Sequence, residues 1–142
     1  MPRTTLTRRV SFAAAHRYHR PDWSEEKNNA VFGACARPNY HGHSYECFVT
    51  VSGDVDPETG FVIDLAELDR ILEREVRLRF DHRNINLDVP EFAEGKLIPS
   101  GENLARFVFE RVQLELGERA LVESVRVAED ETLSATWNYR DA

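Results

Sequence analysis

The sequence predicts an α+β domain in which an antiparallel four-stranded sheet carries two helices on one face. Three observations predict it. Alternating apolar residues mark two strands in the first third of the chain, apolar stripes at helical spacing mark two helices in its middle, and two short alternating runs close it. The helices would cover one sheet face, leaving the other to solvent or to another subunit.

Residues 5–16 form the first strand: Leu6, Val10, Phe12, Ala14 and His16 share a face, with Arg8 interrupting the pattern. Residues 17–40 hold prolines, asparagines and many charges and read as a long excursion with a short helix near 25–31. A loop of that length in a small domain is usually functional or mobile. Residues 41–53 give the clearest strand, with His41, His43, Tyr45, Cys47, Val49 and Val51 on one face. A turn follows at 56–60. Asp64 then offers an N-cap with Glu67 three residues on, opening a helix to about Arg79 on the stripe Leu65, Leu68, Ile71, Leu72 and Val76. Residues 81–101 read as mostly irregular. A second helix covers roughly 102–116, with Leu104, Phe107, Val108, Val112 and Leu116 inward. Val125, Val127 and Glu129 lie on one face of a third strand, and 132–139 make a fourth.

The chain has 142 residues, the size of one ordinary domain, and is read as a single domain over 1–142. Hydrophobic residues make up 42%, enough for a core without disulfides. A formal net charge of −7 argues against a nucleic-acid partner, whose footprint is a basic patch, but leaves room for a small anionic ligand in a locally basic cleft. No run approaches the ~20 apolar residues of a membrane span, and the N-terminus lacks the apolar stretch of a signal peptide. The expectation is a soluble, cytoplasmic protein without a membrane partner. Two cysteines, Cys35 and Cys47, are then free thiols; Cys47, inside a strong strand, belongs to the core.

The strongest local signal is His41-Gly42-His43. Histidines at i and i+2 of a strand point to one side. If the first two strands pair, His16 joins them. Three such ligands without an obvious fourth is the pattern of a catalytic zinc, which keeps one position open. Gly42 would permit a close approach there. The competing readings are polar residues at strand ends, or a cupin-like site in which Glu129 completes the ligand set. His19 falls in the excursion and reads as exposed.

Ser11-Phe12-Ala13-Ala14-Ala15-His16, Cys35 six residues before His41-Gly42-His43, then Asp81-His82 and Glu102-Asn103 occur in order. This set, spanning about 8–137, resembles the 6-pyruvoyltetrahydropterin synthase / 6-carboxytetrahydropterin synthase family. The resemblance implies a tunnelling fold (T-fold) whose subunits close into a barrel as trimers, two of which stack into a homohexamer with active sites at subunit interfaces. It implies a zinc enzyme acting on 7,8-dihydroneopterin triphosphate, with His16, His41 and His43 as zinc ligands. Cys35 matches the family's catalytic cysteine, a base once its pKa falls toward neutral. Asp81 and His82 match its acid–imidazole pair, which can relay protons. Glu129 matches the pterin anchor, since a carboxylate can accept two N–H donors of the ring together; Glu131 shares its face and is held in reserve. Glu102 and Ser100 fall in a second pterin-binding segment. There Gly101 departs from the threonines common in the family, which bears on substrate preference. Arg17, Lys27 and Arg37 are candidates for the triphosphate.

Two products are open within the resemblance: the pyruvoyl pterin of tetrahydrobiopterin biosynthesis, and the carboxy pterin of queuosine biosynthesis, formed with release of acetaldehyde. The six-residue step from Cys35 to His41 favours the pyruvoyl type. Variants that cleave the side chain by a retro-aldol route replace this cysteine with glutamate, so Cys35 argues against them. A non-catalytic pterin- or metal-binding module would not need Cys35, Asp81 and His82 together.

Overall fold

The computed structural model describes residues 3–139. Met1, Pro2 and residues 140–142, included in the single-domain reading, lie outside the described residues. The long strand β1 (Thr4–His16) pairs antiparallel with β2 (His41–Gly53) over its whole length, from Thr4 opposite Gly53 to His16 opposite His41. Between them the excursion carries the helix α1 (Glu25–Phe32) and a 3-10 turn (Gly33–Ala36). Ser24 caps α1 by accepting from the Lys27 N–H, and buried Asn28 ties the segment down through both backbone groups of Arg20.

The second half adds the helix α2 (Leu65–Leu72), which runs on through a π-helical segment (Glu73–Arg77) into the short α3 (Leu78–Phe80). Then come β3 (Arg83–Asn84), α4 (Ile85–Asp88), the 16-residue helix α5 (Gly101–Leu116), and the strands β4 (Leu121–Ala128) and β5 (Ser134–Asn138). The sheet order is β3-β1-β2-β4-β5. The four expected strands are antiparallel neighbours, and α2 and α5 cover one face, as the alternation predicts. The sheet has five strands rather than four. The Ala13 N–H donates to the Asp81 carboxylate and the His82 N–H donates to the Ala13 carbonyl, which lays two further residues parallel to the free edge of β1. Nothing in the irregular composition of 81–101 signals so short a strand.

Alternation puts Phe12 and Ala14 of β1, Tyr45 to Val51 of β2, and Val122, Val125 and Val127 of β4 under the helices. Phe12 stacks on Tyr45 at 4.8 Å, and Phe80, Phe92 and Phe107 pack edge to face beneath α5. The opposite face is polar: Thr7 bonds Thr50, Ser11 donates to Glu46, and Arg126 lies over the Phe48 ring. Among the described residues, no helix is long and apolar enough to cross a membrane.

The helix layer also buries a charge. Glu75, 2% exposed in the π-helical segment, accepts from Arg79 and Arg111. Burial acts to raise its pKa, but the two guanidiniums outweigh this and hold it below its ordinary 4.5. A lowered carboxylate pKa contributes stability above the unfolded value and loses it as pH falls below. Breaking a fully buried pair costs about 3–5 kcal/mol. Both arginines are nearly a third exposed and can turn to water, so Glu75→Gln is expected to cost nearer ~2 kcal/mol at neutral pH. In chemical denaturation the gap to wild type should close as pH falls below the ordinary glutamate value and through the lowered one of Glu75.

Candidate active site

The site forms where β1 and β2 end together. The alternation that buries Tyr45, Cys47, Val49 and Val51 also turns His43 and His41 to the helix-covered face, and antiparallel register sets His16 directly across from His41. Ring centroids are 4.7 Å apart for His16–His41, 5.1 Å for His16–His43 and 5.0 Å for His41–His43. One ligand nitrogen from each lies within 4.8 Å of the others. Gly42 suits the close strand pairing here: a Cβ would sit 3.3 Å from the Ala14 carbonyl oxygen, a tight contact that the backbone would have to relieve by a few tenths of an ångström.

The donor set fits a metal. His16 is fully buried, and its Nδ1–H donates to the Pro99 carbonyl at 2.8 Å, which makes Nε2 the ring's acceptor nitrogen, 3.4 Å from the Tyr45 hydroxyl. The Tyr45 hydroxyl sits 3.1 Å from the same Nδ1. Burial, and then the two neighbouring imidazoles, lower the His16 pKa to about 4 although the Pro99 contact opposes this. Burial and His43 likewise lower His41. Neutral imidazoles are the form that ligates. Glu129 stays outside the trio, its Oε2 3.9 Å from His43 Nε2, so a fourth carboxylate ligand of the cupin-like kind is not in place.

Glu129 follows β4 and is 9% exposed. Its Oε1 accepts from the Tyr18 hydroxyl at 2.9 Å. Tyr18 and Glu129 line a cleft of about 230 Å³ with Ser100, Gly101, Glu102 and Ala135. Glu131 lies on the exposed turn after β4, so Glu129 is the inward carboxylate. Ser100 lines the cleft, but its hydroxyl is engaged as the N-cap of α5, accepting from the Asn103 N–H. Glu102 is exposed in the first turn of α5. A Cβ at Gly101 would meet the Ala135 Cβ at 3.5 Å and the Val127 carbonyl oxygen at 3.9 Å, both ordinary contact distances.

Cys35 sits in the 3-10 turn, half-buried, its carbonyl accepting from the Tyr18 N–H at 2.7 Å. Arg17 braces the same turn by donating to the Ala36 carbonyl, while its buried Nε has no partner among the described residues. Burial and then the Glu129 carboxylate raise the Cys35 thiol above its ordinary pKa. A thiolate base needs positive charge beside it to offset both effects. Cys47 is fully buried core, as expected. Lys27 lies over the Trp23 ring at 4.2 Å. His19 is half-buried rather than exposed, 2.8 Å from Glu94, because the excursion folds back against the segment before α5.

Asp81 and His82 form a pair, with His82 Nδ1 3.0 Å from Asp81 Oδ2. The Ala13 amide and then His82 hold Asp81 below its ordinary pKa. The pair is open to solvent on its His82 side. It hangs on the outer edge of β1, where His82 adopts a left-handed backbone (φ 58°) and its side chain is 85% exposed. No hydrogen bond or ion pair among the described residues joins it to Cys35, Glu129 or the histidine trio. Sequence reasoning missed Tyr18, Tyr45 and Pro99. Tyr45 continues the alternation of His41 and His43 and was legible, whereas Pro99 reaches His16 across 83 positions and has no local signal.

A helix-backed antiparallel sheet with three convergent histidines that could hold a metal ion, beside a buried carboxylate over a cleft, has the make-up of a small-molecule site. Comparison with known proteins narrows this. The profile of the family described as "6-pyruvoyl tetrahydropterin synthase" matches residues 5–140. The chain is 41% identical over 108 residues to the human 6-pyruvoyl tetrahydrobiopterin synthase, covering 76% of this chain and 73% of that protein. It is 39% identical over 129 residues to the Drosophila melanogaster protein of the same name, covering 90% and 75%. The solved Caenorhabditis elegans 6-pyruvoyl tetrahydropterin synthase superposes with a TM-score of 0.90 at 34% identity, over 99% of this chain and 98% of that one. The chain belongs to the 6-pyruvoyl tetrahydropterin synthase family, and its fold is the T-fold.

Proposed function

We propose that the chain is a zinc-dependent lyase that converts 7,8-dihydroneopterin triphosphate to 6-pyruvoyl-tetrahydropterin, eliminating triphosphate and rearranging the side chain. The observation that carries this is the buried Glu129 of the cleft standing 3.9 Å from His43 of the histidine trio. It joins a metal-binding set to an acceptor for the donor edge of a pterin. His16, His41 and His43 would hold the metal, which when bound supplies Lewis acidity toward a substrate side-chain oxygen.

The other roles fall to the chain's own residues. Glu129 accepts from the pterin 2-amino group and ring N–H and so fixes where the side chain lies. Cys35 Sγ, as thiolate, takes a proton from a side-chain carbon. Asp81 holds the Nδ1–H of His82, leaving His82 Nε2 to carry a proton to or from the reacting oxygen. The outward placement of His82 at the sheet edge supports a homo-oligomer in which one subunit's Asp81–His82 pair completes a neighbour's site. We read this as the homohexamer of stacked trimers. The single domain over 1–142 and a cytoplasmic setting, consistent with the free thiols of Cys35 and Cys47, complete the proposal.

The test is incubation of purified protein with 7,8-dihydroneopterin triphosphate, with and without a chelator, and identification of products by mass spectrometry. A pyruvoyl pterin with free triphosphate, lost on chelation and restored by zinc, is the expected result. Free acetaldehyde would overturn the pyruvoyl assignment, and no turnover by the zinc-loaded protein would overturn the enzyme reading.

A further inference from the structure

Tyr18 lies two residues past His16, where β1 gives way to the excursion, and it touches each part of the site in a different way. Its hydroxyl donates to Glu129 Oε1 at 2.9 Å. Its backbone N–H donates to the Cys35 carbonyl at 2.7 Å. Its ring stands edge-on to His16 at 4.9 Å and to Phe32 at 5.8 Å. Phe32 in turn stacks on Trp23 at 5.6 Å, with Lys27 over the outer ring. The aromatic column therefore holds the phenol from behind, and its oxygen has one place to go.

Glu129 needs such a partner. Among the described residues, Tyr18 makes the one hydrogen bond to its side chain, since His43 Nε2 at 3.9 Å is beyond reach. A buried carboxylate with no fixed donor would turn about its last bond, and a planar pair of ligand N–H groups needs both oxygens in one plane. A single bond to Oε1 fixes that plane and leaves one lone pair on Oε1 and both on Oε2 for the ligand.

We infer that Tyr18 is a positioning and specificity-determining residue. It orients Glu129 to accept two donors of a pterin edge together, and ties that orientation to the turn carrying Cys35. The inference rests on the pterin reading of the site.

The experiment compares wild type, Tyr18→Phe, Glu129→Gln and the double variant, all zinc-loaded. Two readouts are steady-state kinetics with 7,8-dihydroneopterin triphosphate and equilibrium binding of 7,8-dihydroneopterin against an analogue lacking the 2-amino group. Tyr18→Phe is expected to raise KM and the dihydroneopterin Kd about tenfold or more, as losing a hydrogen bond to a charged group does. Its kcat should stay within about threefold, its metal content should match wild type, and its preference for the 2-amino ligand should shrink. Adding Tyr18→Phe to Glu129→Gln should cost little more, because one depends on the other. Unchanged Kd and preference in Tyr18→Phe, or fully additive losses, would overturn the inference. A wild type that binds dihydroneopterin through Glu129 yet turns nothing over would fail the proposed function while leaving Tyr18 to be judged on the binding arm. Should Tyr18→Phe fold poorly, Tyr18→Trp keeps the aromatic column without a phenol and is expected to show the same loss of preference; retention of the preference there would overturn the inference.

Discussion

Cys35→Ala is expected to lower turnover of 7,8-dihydroneopterin triphosphate by about 10²–10⁴-fold, the range for removing a positioned acid or base, while the protein keeps its metal. The separation of the two effects follows from where the residue sits. Cys35 belongs to a 3-10 turn held by one backbone bond from Tyr18 and a side-chain bond from Arg17, neither of which uses the thiol. The metal set belongs to β1 and β2, whose pairing the substitution does not touch. Alanine also suits the turn, which already holds Ala34 and Ala36. Metal analysis and product formation on one preparation are the measurement. Wild-type turnover in Cys35→Ala would show that the thiol is not the base.

The second large effect concerns His82. Alone, His82→Ala is expected to lose turnover on the scale of Cys35→Ala, yet the two inactive variants should rescue one another. If each site takes Cys35 from one subunit and His82 from another, random mixing in equal amounts leaves about a quarter of the sites with both groups intact. The mixture, unfolded and refolded together, should then recover roughly a quarter of wild-type activity. Refolded separately and mixed afterwards, the variants should recover little. The case rests on one exposed imidazole, 85% open to solvent at the edge of β1, paired with an aspartate that its neighbours keep ionised. Absence of rescue in co-refolded samples of correct oligomeric mass would place both groups in one subunit's site.

Much of the fold was written in short-range periodicity. Period-two alternation in 5–16 and 41–53 located both long strands and the shared face of His41 and His43. The stripes from Leu65 to Val76 and from Leu104 to Leu116 located α2 and α5. The parts that were not legible are those set by distant neighbours. β3 exists because Ala13 offers a free strand edge to Asp81 and His82. The π-helical turn is where buried Glu75 meets Arg111 from another helix. The site divides in the same way. His16, His41, His43 and Glu129 could be placed by face, whereas Tyr18 donating to Glu129 joins residues 111 positions apart. The resemblance found Asp81 and His82, but their place at the outer edge of β1, with His82 85% exposed, depends on the distant Ala13 backbone.

The bond from His16 to the Pro99 carbonyl has a thermodynamic side. It fastens the end of the first strand to the residue before the cap of α5, and the other two ligands come from the second strand. An ion held by these nitrogens would bind the folded chain and have little affinity for the unfolded one. Its occupancy would add stability as RT ln(1 + [L]/Kd), about 2.7 kcal/mol at a hundredfold excess over Kd. The melting temperature would then report metal affinity without any substrate. Zinc titrated into stripped protein should raise it in step with concentration, and the closure of strand ends onto helix cap would be the event being measured.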